Sequence, residues 1–192
     1  MYDSDRTGSP DVDLQGPPWA GGNLPTNTEM GRMIIIHEHE DLNPPSDNTV
    51  NSDDEGERPA GSIFFDFDDP ITEFGFDLVD IEGADENGHF ASFMLGNNPV
   101  GQVSFMDFQN TEGAIFGNNT INRISPISFH QGNVPQQFDR VEIYMGGSGA
   151  VDNVNWGRFE IQTSPSAPEP VTATLTGICL SLLGLSIQRR AR

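Results

Sequence analysis

Four aspartates near the start of the chain stand at the spacing a hard cation needs. In Asp3-Ser-Asp5-Arg-Thr-Gly8-Ser-Pro-Asp11-Val-Asp13, acidic residues alternate on either side of a glycine that lets the backbone wrap. Calcium takes six to eight oxygen ligands from a flexible loop of this kind. Leu14 stands where a helix-flanked calcium loop would place its bidentate Glu, and no helical pattern borders the segment, so that motif is excluded. The remaining expectation is a sandwich-type Ca²⁺ site of Asp3, Asp5, Asp11 and Asp13, completed by Asp152 from the last strand. The plainer alternative is an acidic turn whose carboxylates bond their own backbone.

A second constellation is His37-Glu-His39-Glu40. On an extended strand alternate residues share a face, so the two imidazoles would suit Zn, Fe or Mn. Gly31 followed by His37-x-His39 imitates the opening of a cupin metal motif. No Glu follows three or four residues later, and nothing downstream supplies the second half. Strand-end histidines in water are the expected reading, with His89 and His130 elsewhere. Catalytic motifs are missing. No Gly-x-Ser-x-Gly elbow occurs in a strand-to-helix setting, and Gly146-Gly-Ser-Gly149 is too short for a phosphate loop and precedes a strand. With 29 acidic residues, any carboxylate pair could be nominated for glycoside hydrolysis, so no pair is singled out. Among the aromatic residues able to stack on a sugar ring, Trp19 is expected to be exposed and Trp156 to be core.

The elements positioning these groups are short strands. Met33–His37, Ser62–Asp68, Phe74–Glu82, Phe90–Leu95, Gln102–Met106, Val141–Met145 and Val151–Ile161 carry the apolar runs. Gly, Asn, Asp and Pro separate them. In Ser62–Asp68 strict alternation puts Phe65 and Phe67 on one face and Asp66 and Asp68 on the other. No helical period of comparable length appears, so the expected fold is all-β: an antiparallel β-sandwich, jelly-roll-like, over residues 1–163.

Charge bounds the partners. Residues 1–170 hold six arginines, no lysine and all 29 acids, a net −23, which argues against nucleic acid as a ligand. The single cysteine, Cys179, excludes an internal disulfide and a cysteine-based zinc site.

The C-terminus is the most specific part of the chain. Residues 164–170, Ser-Pro-Ser-Ala-Pro-Glu-Pro, form a stiff polar spacer. Residues 171–187 carry no charge, the short limit for a membrane-crossing helix, and residues 188–192 end the chain in a basic cluster. Arg189, Arg190 and Arg192 should stay cytoplasmic, which places residues 1–170 outside. Export requires a signal peptide, and Met1-Tyr-Asp-Ser-Asp has neither a basic start nor an apolar stretch, so the natural start is expected upstream.

A Pro168-Glu169-Pro170 motif, a short apolar helix and terminal arginines, in that order, resemble the PEP-CTERM sorting domain. The resemblance covers about the last 27 residues. It implies recognition by an exosortase-type membrane peptidase in a Gram-negative bacterium, and an association with exopolysaccharide. Ile63–Ile71 leading into Leu78–Glu82, with Gly146–Val154 near the end, resembles the β-sandwich ectodomains that precede such anchors. The expected protein is therefore a non-enzymatic surface or matrix protein, passing transiently through the inner membrane as a single-pass form. Its alternatives are a calcium-dependent carbohydrate-binding module and a metal-dependent enzyme.

Overall fold

The computed structural model describes residues 1–5, 11–36, 58–82 and 88–159. The chain divides into two units, Met1–Phe159 and Glu160–Arg192, of which the second lies outside the described residues. Outside them too lie His37, His39, Pro168, Glu169, Pro170, Arg189, Arg190 and the apolar segment 171–187. Among the described residues no helix is long and apolar enough to cross a membrane.

Among the described residues twelve strands and one helix follow in order: β1 Tyr2–Asp3, β2 Gly21–Gly22, β3 Arg32–Ile35, β4 Gly61–Ile71, β5 Glu73–Val79, β6 Phe90–Leu95, β7 Asn98–Ser104, α1 Phe105–Thr111, β8 Thr120–Ile127, β9 His130–Gln131, β10 Val134–Pro135, β11 Phe138–Met145 and β12 Ala150–Gly157. They form a six-stranded sheet ordered β1-β3-β12-β5-β8-β2, a four-stranded sheet ordered β4-β11-β6-β7, and a small β9–β10 ribbon. Every pairing is antiparallel except β2 with β8. The described residues are thus all-β in class, with one short helix among them.

Alternation along the strands builds the core. Phe74, Phe76 and Leu78 of β5 point to one side and meet Phe93 of β6 and Val141 and Ile143 of β11 in one buried cluster. The two larger sheets therefore share an aromatic interior, in which Phe93 lies 5.0 Å from both Phe129 and Phe138. Val79, Ile121 and Ala150 belong to a second cluster with Tyr2, Leu14, Trp19, Met30 and Met33. Leu78 and Val79 are neighbours in a strand, so the clusters occupy opposite faces of the six-stranded sheet. The N-terminal segment covers the face that the four-stranded sheet leaves open. A strand covered on both sides reads as a nearly continuous buried run, as β5 does.

Three expectations are corrected. The run Gln102–Met106 is not one strand: β7 stops at Ser104 and a helix begins at Phe105. Ser104 caps it in a reciprocal box with Asp107, and Phe105 and Phe108, one turn apart, drop into the core. Phe74–Glu82 ends early at Val79, because Asp80 adopts a left-handed backbone with φ 57° that a ladder cannot continue. The expectation also overlooked β8, where Asn122 and Arg123 interrupt the apolar pattern. The alternation in β4 is as expected, with Phe65 and Phe67 5.3 and 6.0 Å from Phe74 and Asp66 facing outward.

Candidate functional site

The two tryptophans exchange the places expected of them. Trp19 is 3 % exposed. Its indole lies flat over Gly16, where an added Cβ would come within 2.5 Å of the ring, and its Nε1 donates to the Thr28 carbonyl at 2.7 Å. Packing and a satisfied N–H make it a core residue of the N-terminal segment, not a stacking platform. Trp156 is 59 % exposed. A bulge in β12 between Asp152 and Asn155, with Asn153 at φ 46°, resets the alternation. Val154 then packs against the shared interior. Trp156 reaches the same side two residues later, beyond the end of the core.

There the Trp156 ring leans on Phe67, centroids 5.6 Å apart at 54°. Around them opens a groove of about 520 Å³, lined by Asp66, Phe67, Asp68, Asp69, Trp156 and Arg158 together with Ile71 and Gly157. One wall is β4, the edge of the four-stranded sheet; the other is the end of β12. The strand end is fixed: Thr72 N–H donates to the Gly157 carbonyl at 2.9 Å, and Phe159 N–H donates to the Thr72 hydroxyl at 2.7 Å. Arg158 lies 3.6 Å from the Asp69 carboxylate. The Arg140 guanidinium donates to Asp66 and holds its carboxyl below the usual range, while lying 5.9 Å over the Phe64 ring. The groove thus offers one exposed aromatic face, flanking carboxylates that accept hydrogen bonds only, and a guanidinium that donates only.

The calcium ligands expected from sequence do not assemble as one set. Asp3 sits on β1 and Asp152 on β12, with β3 between them. Their backbones are thus two strand spacings, about 10 Å, apart, and among the described residues no further His, Cys, Asp or Glu stands with them to complete a shell. Asp152 instead faces Asp77 across β5 and β12, and burial raises its carboxyl. Asp3 accepts the Asp5 N–H at 3.3 Å. Asp11 is buried, and its Oδ1 accepts the N–H groups of Asp13 and Leu14 at 3.2 and 3.1 Å, as an acidic turn would. Asp13 accepts Asn118 Nδ2 at 3.3 Å. Among the described residues no three His, Cys, Asp or Glu side chains stand together as a ready metal cage.

One acidic residue that no spacing indicated joins this region. Asp80 is fully buried; its Oδ1 accepts the Asn119 N–H, and its Oδ2 has no hydrogen-bond partner. Burial, reinforced by Glu82, Asp11 and Asp13, pushes its carboxyl up to about 7. His89 and His130 do not form a pair: His130 is exposed on the ribbon, whereas His89 is buried, stacked on Phe105 at 5.6 Å, with Nε2 2.9 Å from the Glu82 carbonyl.

No protein-family model matches the chain, and no curated protein or solved structure matches it.

Proposed function

We propose that this chain is an exported β-sandwich domain, jelly-roll-like, that holds extracellular polysaccharide in the Trp156 groove without chemically altering it. The observation that carries this reading is the exposed indole of Trp156, backed by Phe67 and flanked by Asp68, Asp69 and Arg158. A pyranose ring presents a face of C–H groups bearing partial positive charge. That face stacks on the negative face of an indole, while the ring hydroxyls donate to carboxylates at its rim. A net charge of −23 over residues 1–170 repels uronate-rich polymers, so the reading favours a neutral glycan.

Delivery rests on the C-terminal signal. Pro168-Glu169-Pro170, the uncharged 171–187 segment and the terminal arginines support sorting by an exosortase-type peptidase from the inner membrane to the surface of a Gram-negative bacterium. A surface protein beside exopolysaccharide needs a polymer-binding groove more than a reactive centre.

Affinity electrophoresis through gels containing the host's own exopolysaccharide tests the binding. The wild-type chain should be retarded and Trp156→Ala should run as in a polysaccharide-free gel, while Phe64→Ser, exposed elsewhere on β4, keeps the retardation. Equal retardation of Trp156→Ala and wild type would remove the groove from consideration.

A further inference from the structure

Asp80 differs from the other acidic side chains held inside this domain. Buried Asp77 receives three N–H donors, two from Arg123 and one from Asn153 at 2.8 Å. Glu82 is met by Arg58 at 3.3 Å. Asp80 is 0 % exposed, yet its Oδ2 has no donor. An ionised oxygen left so is costly, since nothing replaces the water it lost.

Its surroundings deepen the deficit. The turn before β8 donates the Asn119 N–H to Oδ1, and the Asn119 side chain donates to the carbonyls of Asp13 and Gln15 at 2.9 and 3.0 Å. Asn118 donates to the Asp13 carboxylate at 3.3 Å. That turn therefore ties the Asp11–Gln15 loop to the end of β5, and brings the charges of Asp11 and Asp13 to bear on Asp80, with Glu82 from the chain beyond β5. Two segments, the Asp11–Asp13 turn and the chain at Glu82, bring negative charge near Asp80, and the nearby Arg58 is engaged by Glu82.

We propose that a divalent cation of the Ca²⁺ class binds between Asp80 Oδ2 and the Asp11–Asp13 turn, and joins the N-terminal segment to the six-stranded sheet. The ion supplies the positive partner that Oδ2 lacks. Since no three carboxylates close around it, its shell is completed by the Asp13 carboxylate, amide or carbonyl oxygens of the two loops, and water. Ca²⁺ accepts such a mixed oxygen shell, whereas Zn²⁺ favours His and Cys, neither of which occurs in the Asp11–Gln15 loop or the Asn118–Asn119 turn, and Mg²⁺ demands a stricter octahedron. A carboxylate already carrying a cation would not need the proton that its raised carboxyl affinity otherwise invites. This site is separate from the Trp156 groove and stands or falls without it.

The test uses the full chain, stripped with EGTA and titrated with Tb³⁺ and then with CaCl₂ against MgCl₂ at equal ionic strength. Tyr2, whose hydroxyl donates to the Asp11 carbonyl at 2.6 Å, is placed to sensitise terbium emission. One saturable equivalent, displaced by Ca²⁺, is expected. So is a rise in Tm of about 5–10 °C at a hundredfold excess of Ca²⁺ over Kd, with little response to Mg²⁺. Asp80→Asn should weaken binding at least tenfold with the circular dichroism unchanged, and Asp13→Asn, partly exposed and tolerant of change, should weaken it several-fold. Asp152→Asn should bind as wild type. No saturable terbium signal, or wild-type affinity in both Asp80→Asn and Asp13→Asn, overturns the site. If Asp80→Asn does not fold, wild-type stoichiometry and the Asp13→Asn affinity decide.

Discussion

Arg123 grips Asp77 with two parallel hydrogen bonds, Nε to Oδ1 at 2.9 Å and Nη2 to Oδ2 at 2.8 Å, across the β5–β8 ladder. Asp77 is 1 % exposed, whereas Arg123 keeps half its surface in water. A pair of this kind matters most through what is left when one member goes. Arg123→Ala strands a buried carboxylate with only Asn153, and should lower unfolding free energy by about 3 kcal/mol in urea titrations. Arg140→Ala, whose partner Asp66 is exposed, should leave the urea midpoint where it was. Equal losses from both substitutions would contradict the account of Asp77.

The parallel β2–β8 contact depends on one glycine. Gly22 has φ 122°, and a Cβ there would fall 1.7 Å from the Ile121 carbonyl oxygen. A backbone atom cannot swing away as a side chain can, so Gly22→Ala should cost about 2 kcal/mol or more. Gly21→Ala, with nothing within 4 Å of the added carbon, should be nearly neutral. Matched thermal melts of the two variants check the contrast; similar behaviour would mean that β2 does not pair as described.

His89 contributes stability that is lost in mild acid, opposite in sign to Asp80, whose raised carboxyl favours the folded state as pH falls below about 7. Burial lowers the His89 pKa below the ordinary value of 6.5, and Arg58 adds to the effect. The folded state therefore takes up the proton less readily than the unfolded chain. Its contribution is complete above pH 6.5 and is lost as pH falls from there through the lower folded value. His89→Gln should be less stable than wild type at pH 8, by a gap that narrows between pH 6.5 and 5. Parallel stability curves for the two proteins would show that His89 does not carry the dependence.

Processing is tested on the native host. If Pro168-Glu169-Pro170 is the sorting element, the protein recovered outside the inner membrane should lack Cys179 and the arginine cluster by mass. Replacing all three residues by Ala should leave the full-length form in the membrane. A recovered protein still carrying residues 171–192, unaffected by the triple substitution, would reduce the tail to a plain anchor.

Several features of this protein were legible in the sequence because they depend on local chemistry. Alternation of Phe65 and Phe67 with Asp66 and Asp68 dictates one buried and one wet face in any β-sheet. The bounds of Phe90–Leu95 follow from an apolar run closed by Gly96. The order of the C-terminal parts is likewise a property of the chain itself. Even α1 left a local trace that apolar patterning overlooked, the Ser104–Asp107 capping pair.

What the tertiary structure decided depends on which distant residues meet. Trp19 and Trp156 are equally aromatic as text. One became core because Gly16 and Thr28 close around it, and the other, turned to the core side by a bulge in β12, became exposed because it lies beyond the end of that core. Asp80 looked like part of a strand until the Asn119 turn and the Asp11–Asp13 loop converged on it from opposite parts of the chain. Asp152 looked like a partner of Asp3 until β3 came to lie between them. Burial and electrostatic field are sums over neighbours brought together by folding, and residue spacing along a chain carries only the local part of those sums.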